Sequence, residues 1–118
     1  MRKIDKGLNA RTMTDLIIPS FDLINEYLLS KNIKTEWIKE PEKHEIKFTG
    51  PGGEAGAFSA RAENRWKKQD DLRPFPVVVF NFRIGNLSTT NNGSDPIEGF
   101  SPRRIMSWFK GIFWLWFE

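Results

Sequence analysis

Hydrophobic residues recur along this chain with two different periods, which divide it into helices and strands. Between Thr14 and Lys31 the large apolar side chains fall on one broad helical face and most carboxylates fall opposite, a pattern typical of an amphipathic helix. Pro19 interrupts this pattern, because a proline inside a helix removes a hydrogen bond and clashes with the preceding turn. We therefore predict that the regular helix begins at Pro19–Phe21, with Ser20 as its N-terminal cap.

Strict alternation of apolar and polar residues marks the strands. Ile33–Ile38 and Lys43–Thr49 both alternate, and the intervening Lys39–Glu42 contains a proline and suits a turn. The two segments therefore predict a hairpin with one buried face and one charged face. Val77–Ile84 is the most apolar of the alternating segments, and we expect it near the centre of a sheet.

The segments on either side of this strand are less regular. Glu54–Gln69 is rich in Ala, Glu, Arg and Lys, which favours a helix, although a strand over Ala57–Arg61 is the competing interpretation. Residues 85–100 are mostly polar and predict a long loop, with Asn92-Gly93 as a candidate hairpin turn within it.

The predicted elements follow the order α-β-β-α-β-α. This order indicates an α+β fold with a small single sheet, made of the hairpin and the central strand, and with helices packed on it. The 118 residues are predicted to form one domain, 1–118, a length sufficient for one hydrophobic core. Residues 1–12 are basic and polar, and we expect a mobile arm or an edge strand there.

Composition excludes several kinds of chemistry. The chain has no cysteine and one histidine, which excludes disulfides, thiolate metal sites and cysteine nucleophiles. We predict no metal ion and no cofactor. The N-terminus lacks an apolar leader, and no apolar run approaches the ~20 residues that cross a bilayer, so we expect a cytoplasmic protein without a membrane partner. The net charge of +3 is compatible with polyanion binding.

A cluster of cations accompanies the helix predicted over residues 54–69. On such a helix a basic stripe lies beside an apolar one, and more cations follow in the linker. Two interpretations fit: a solvated helix face, or a surface that contacts phosphates while a tryptophan stacks on a base. The candidate nucleic-acid-binding residues are Arg61, Arg65, Trp66, Lys67, Lys68 and Arg73.

The C-terminal segment is the most aromatic part of the chain and contains three of its five tryptophans. Ser101 and Pro102 provide a cap and a first-turn proline for a helix there. The apolar arc covers more than half of the circumference, so this helix packs on the core, forms an interface with another chain, or lies on a membrane surface. Trp114 lies on the polar side, where core packing does not explain it. The candidate interface residues are Trp108, Phe113, Trp114, Trp116 and Phe117.

One constellation suggests catalysis. Glu45 and Lys47 alternate on the second strand and therefore share a face, where a carboxylate and an ammonium group can hold Mg²⁺ and position a water molecule. Asp15 is a candidate for a second carboxylate. An acidic residue followed by Glu-x-Lys resembles the motif of the restriction-endonuclease-like nucleases, and this resemblance, over residues 15–84, implies a Mg²⁺-dependent nuclease. Alternating charge that solvates an exposed strand is the simpler explanation.

Our preferred hypothesis is a small non-enzymatic accessory protein that binds nucleic acid. In this hypothesis the C-terminal helix joins copies of the chain into a homo-oligomer. The first alternative is a protein-binding adaptor or inhibitor, which uses the C-terminal helix and the 85–100 loop to contact a protein partner. The second alternative is the nuclease.

Overall fold

A computed structural model describes residues 5–50, 52–68, 72–94 and 100–117. The elements are helix α1 (Lys6–Thr12), a π-helical turn (Met13–Ile17), helix α2 (Ile18–Ser30), strands β1 (Thr35–Lys39), β2 (Lys43–Thr49), β3 (Ala55–Arg65), β4 (Phe75–Ile84) and β5 (Leu87–Ser94), and helix α3 (Pro102–Phe117). The fold is α+β with a single sheet, as predicted. Parts of three predictions fall outside the described residues, namely 1–4 of the arm, 69–71 and 95–99.

The N-terminal helix begins earlier than the hydrophobic pattern predicts. Asp5 caps α1, because its side chain accepts a hydrogen bond of 3.1 Å from the Leu8 N–H. Asn64 of β3 fastens the same turn to the sheet: its side chain accepts from the Asp5 N–H and donates to the buried side chain of Asn9. The expectation of a mobile arm is thus wrong for residues 6–12, since these bonds hold them in a helix.

Pro19 lies inside a continuous helical segment rather than at its start. The N–H of Ile18 donates to the carbonyl of Met13, five residues back, and this π turn widens the helix directly before the proline. Ser20 is buried and caps nothing, because its hydroxyl donates to the Leu16 carbonyl at 2.6 Å. The predicted helix start is therefore wrong, since the π turn accommodates the proline without ending the helix.

The five strands form an antiparallel meander in the order β1-β2-β3-β4-β5. On the central strand, Phe58 lies opposite Ile46 of β2 on one side and Phe82 of β4 on the other. The predicted helix is therefore wrong between Ala55 and Arg65, and the competing strand interpretation is confirmed and extended. The helical propensity of Ala, Glu and Arg is a weak preference that pairing on both edges overrides.

A second hairpin replaces most of the predicted long loop. Gly85, with a φ of 56°, and Asn86 connect β4 to β5. A glycine with positive φ at the first central position is typical of a type II′ two-residue turn. The loop predicted over 85–100 is thus wrong for 87–94, and Asn92-Gly93 lies within the strand instead of forming a turn.

Two long helices cover one face of the sheet and also pack on each other. The rings of Phe21 in α2 and Phe109 in α3 each lie 5.3 Å from the ring of Phe58. Tyr27 of α2 meets Phe113 of α3 edge to face, with 5.8 Å between ring centroids. The core is therefore a cluster of aromatic side chains between the helices and β2–β4.

The single histidine belongs to this core. His44 is 5% exposed, and its Nδ1 accepts a hydrogen bond of 3.0 Å from Nε1 of Trp37, which requires the neutral imidazole. Burial, followed by the charge of Lys39, lowers the pKa of His44 below 6.5. The unfolded chain therefore binds a proton on this residue at a higher pH than the folded chain does.

This shift predicts that the protein loses stability as the pH falls below the ordinary histidine pKa of about 6.5. The contribution is complete above that pH and declines until the lowered pKa of the folded state is reached. Urea unfolding between about pH 8 and pH 5 measures the effect. His44→Gln keeps an acceptor for Trp37 and does not titrate, so its stability should decline less. Parallel declines in the two proteins would contradict the prediction.

Candidate nucleic-acid interface

α2 and α3 pack on one side of the sheet and leave the opposite side without a described long helix, although Val77 and Val79 on that opposite side are buried. Side chains alternate along a strand, so the residues between the core positions of β2, β3 and β4 point to this side. Phe58 and Phe82 contact α3, whereas the adjacent Ser59 and Arg83 point away. We call this side the open face, and its cations are Lys43, Lys47, Arg61, Arg65 and Arg83.

A carboxylate binds two of these cations. Glu63 lies between Arg61 and Arg65 on β3, and accepts hydrogen bonds from their Nε atoms at 2.6 and 3.0 Å. Burial alone raises the pKa of Glu63, but the hydrogen bonds and charges of the two arginines outweigh it, so the pKa lies below its ordinary value. The two arginines are thus partly neutralised, although each guanidinium keeps further N–H donors.

Two cations of the open face lie directly opposite each other. Lys43 of β2 is the cross-strand partner of Arg61 of β3, and like charges in this position are destabilising. A hollow of about 470 Å³ lies beside them and is also lined by Glu40, Glu42 and Glu63. An anion that approached this pair would therefore also meet three carboxylates.

A hollow of about 600 Å³ lies at the other end of the open face. It is lined by three cations, Lys34, Lys47 and Arg83, and by one carboxylate, Glu36. Lys47 and Arg83 are both cross-strand partners of Ala57, one from each side. The small, buried Ala57 leaves space between the two longer side chains.

The structure divides the predicted basic cluster between two places. Arg61 and Arg65 share the open face, because they occupy alternating positions of a strand instead of a helix. Lys67, Lys68 and Arg73 are exposed in the described parts of the connection between β3 and β4. The candidate binding surface therefore includes the first two residues and adjoins the other three.

Trp66 does not lie among the arginines. It is half-buried after the end of β3 and lines a small hollow with Asn9 of α1. Sequence reasoning also omitted three phosphate-binding candidates, Lys43, Lys47 and Arg83. Their signal is the alternation of β2 and β4, since all three occupy polar positions of strands that the pattern does predict.

The three nuclease candidates are not brought together. Glu45 and Lys47 share the open face, whereas Asp15 lies in the helical layer on the other side of the sheet, 3.7 Å from Nε of Arg11. No group of three or more His, Asp and Glu side chains in the described ranges is arranged to hold a metal ion. The resemblance to the nuclease motif is therefore limited to the Glu-x-Lys pair.

The aromatic residues of α3 divide between the core and the surface. The predicted cap is confirmed, because the Ser101 hydroxyl accepts from the Arg104 N–H. Phe113 is buried in the core of its own chain and Trp108 packs against that core. Trp114 and the adjacent Leu115 are 55% and 81% exposed. The side chains of the last two candidates, Trp116 and Phe117, lie outside the part of the chain that the structure describes.

Comparison with known proteins identifies no relative. No protein-family model, curated protein or solved structure matches the chain. No helix in the described ranges is long and apolar enough to cross a lipid bilayer. The open face and the exposed end of α3 are therefore the two features of the described residues that bear on function.

Proposed function

We propose that the protein binds nucleic acid through the open face of its sheet. The main support is the arrangement of its five cations on three adjacent strands, on the side without a described long helix. Such a surface attracts the phosphate backbone of a polynucleotide and displaces its condensed counterions. A phosphate bound beside Lys43 and Arg61 would relieve the repulsion of this cross-strand pair, although the neighbouring Glu40, Glu42 and Glu63 weaken the attraction.

Contacts to phosphate dominate over contacts to bases in this proposal. Proteins that stack bases on a sheet place aromatic side chains on its exposed face. On β2–β4 the open face carries a single aromatic residue, the half-buried Phe75 at the start of β4. We therefore expect weak sequence preference and strong salt dependence.

Anisotropy of a fluorescent single-stranded oligonucleotide of about 16 nucleotides tests the proposal, because this length covers typical single-strand site sizes. If about four phosphates are contacted, a plot of log affinity against log salt should have a slope of about −3. The same measurement with a duplex of equal length shows whether the open face prefers single-stranded or double-stranded nucleic acid. Absence of binding to both forms at low salt would refute the proposal.

Self-association through α3 is a second candidate function, and the exposed Trp114 and Leu115 favour it. Tryptophan is enriched among the residues that dominate interface energies, and the Trp114 ring stays 55% exposed although Lys31 Nζ lies 5.6 Å from its centroid. The favoured partner is a second copy of the chain, since self-association also doubles the number of open faces available to one polynucleotide.

Replacing Trp114 with serine is expected to reduce the mass of the oligomer without unfolding the domain, because most of this side chain lies outside the core. Light scattering over a range of protein concentrations measures the mass, and circular dichroism monitors folding. Leu87→Ser on β5 is the matched control, since Leu87 is also exposed and apolar. A wild-type mass of one chain at every concentration would rule out self-association.

A further inference from the structure

Lys47 and Arg83 are cations of the open face that line the hollow of about 600 Å³, where Glu36 of β1 is the cross-strand partner of Lys47. No carboxylate of the described residues forms an ion pair with either of them or with the nearby Lys34. Arg61 and Arg65, in contrast, are both held by Glu63. The hollow at this end holds three cations, Lys34, Lys47 and Arg83, against the single carboxylate of Glu36, and this balance favours an anion there.

The sheet register places these two cations on either side of one small residue. Both are cross-strand partners of Ala57, and two interstrand spacings put their Cα atoms about 10 Å apart. Both side chains are long and flexible enough to bend toward each other above the methyl group of Ala57. The hollow of about 600 Å³ at this place leaves room for a tetrahedral anion between them.

We propose that Lys47 and Arg83 together hold one phosphate group above Ala57, as the principal phosphate contact of the bound nucleic acid. This inference rests on the proposed function and assigns it a specific site. The guanidinium of Arg83 donates two parallel N–H bonds to non-bridging oxygens, and Lys47 supplies a point charge from the other side. Lys34 lines the same hollow and adds a third positive charge at its rim.

The phosphate is that of a polynucleotide rather than of a free nucleotide. Lys43 and Arg61 form the second cationic row of the face, and Lys43 lies four residues from Lys47 along β2, or about 14 Å. A mononucleotide cannot span that distance, whereas a chain can contact both rows and gain from their linkage. Between the two rows, Ser59 lies opposite the neutral Asn81 on one side and opposite Glu45 on the other, so a polynucleotide avoids a carboxylate only on the β3–β4 side.

Single substitutions that remove either a positive or a negative charge from the open face test the site. Lys47→Gln and Arg83→Gln should each weaken oligonucleotide binding by roughly tenfold and reduce the magnitude of the salt slope by about one. Glu45→Gln removes the opposite charge from the same strand and face, and should strengthen binding. Arg103→Gln removes an exposed cation from α3 and should leave the affinity unchanged. All four variants are first matched to the wild type by thermal unfolding.

The outcomes separate this site from the proposed function. If the wild type binds and Lys47→Gln and Arg83→Gln bind equally well, the assigned site is wrong and the proposed function stands. If the wild type does not bind any oligonucleotide, the proposed function itself fails. A nucleoside monophosphate serves as the competing probe: competition as strong as that of the oligonucleotide would overturn the polynucleotide assignment, and weak competition supports it.

Discussion

Replacing Phe58 with alanine is expected to lower the free energy of unfolding by about 3–5 kcal/mol. Phe58 is fully buried on the central strand. Its ring contacts Phe21 of α2, Phe109 of α3 and Phe82 of β4, with centroid distances of 5.3, 5.3 and 6.0 Å. The substitution therefore removes contacts between the sheet and both long helices, and leaves a cavity that the surrounding rings cannot fill.

Urea unfolding at fixed pH measures this loss. Phe58→Leu should cost much less than Phe58→Ala, because it keeps most of the buried volume. Phe75→Ala is the control on the opposite side of the sheet, where the ring is half-buried and lies outside the core cluster. A loss below about 1 kcal/mol for Phe58→Ala would show that the aromatic cluster is not the centre of stability, since that is the cost of an average substitution.

Removing four cations from the open face is expected to weaken oligonucleotide binding by at least about 100-fold, because several charge-assisted contacts are lost together. The variant replaces Lys43, Lys47, Arg61 and Arg83 with glutamine. Glu63 keeps its bond to Arg65 in this variant, so no buried carboxylate is left alone. The salt dependence should become much flatter at the same time.

A matched variant tests whether the position of the removed charges matters, or only their number. It replaces four exposed cations of the helical layer with glutamine, namely Lys6, Arg11, Arg103 and Lys110. Both variants lose four positive charges, so any effect of net charge is the same in the two. We expect the helical-layer variant to bind within a few-fold of the wild type. Equal losses in both variants would indicate attraction by net charge and not a binding face.

The alternating strands were the predictable part of the fold. In β2, the polar positions of Lys43, Glu45 and Lys47 follow directly from period-two alternation. Strand β4 is equally regular. The cap at Ser101 follows from local chemistry, because a hydroxyl before a proline satisfies a free N–H at the start of a helix. These features depend on residues close together in the sequence.

The central strand could not be predicted from local preference. Gly56, Ala60 and Ala62 of β3 face the core, and small residues of this kind provide a weak apolar signal. Gly56 has to be small because the ring of Phe48 lies against it, and an added methyl group would overlap that ring. Nothing near Gly56 in the sequence reveals this contact, since the two residues meet only when β2 and β3 pair.

The candidate site was only partly predictable for the same reason. Arg61 and Arg65 are correctly grouped by either a helix or a strand, because a spacing of four places them on one face in both. Arg83 joins them only through the register of β3 with β4, and Asp15 is separated from Glu45 only by the layer order of the fold. Pairing between distant segments decides both cases.

The guanidinium resonances of the arginines test the central claim most directly. A ¹⁵N-resolved NMR titration with a single-stranded oligonucleotide reports on each Nε–H group separately. If the oligonucleotide binds to the open face, the signals of Arg61 and Arg83 should shift as it is added, with the larger change at Arg83. The signals of Arg11 and Arg103 on the helices should stay in place. Shifts confined to the helix arginines, with Arg61 and Arg83 unmoved, would contradict the central claim.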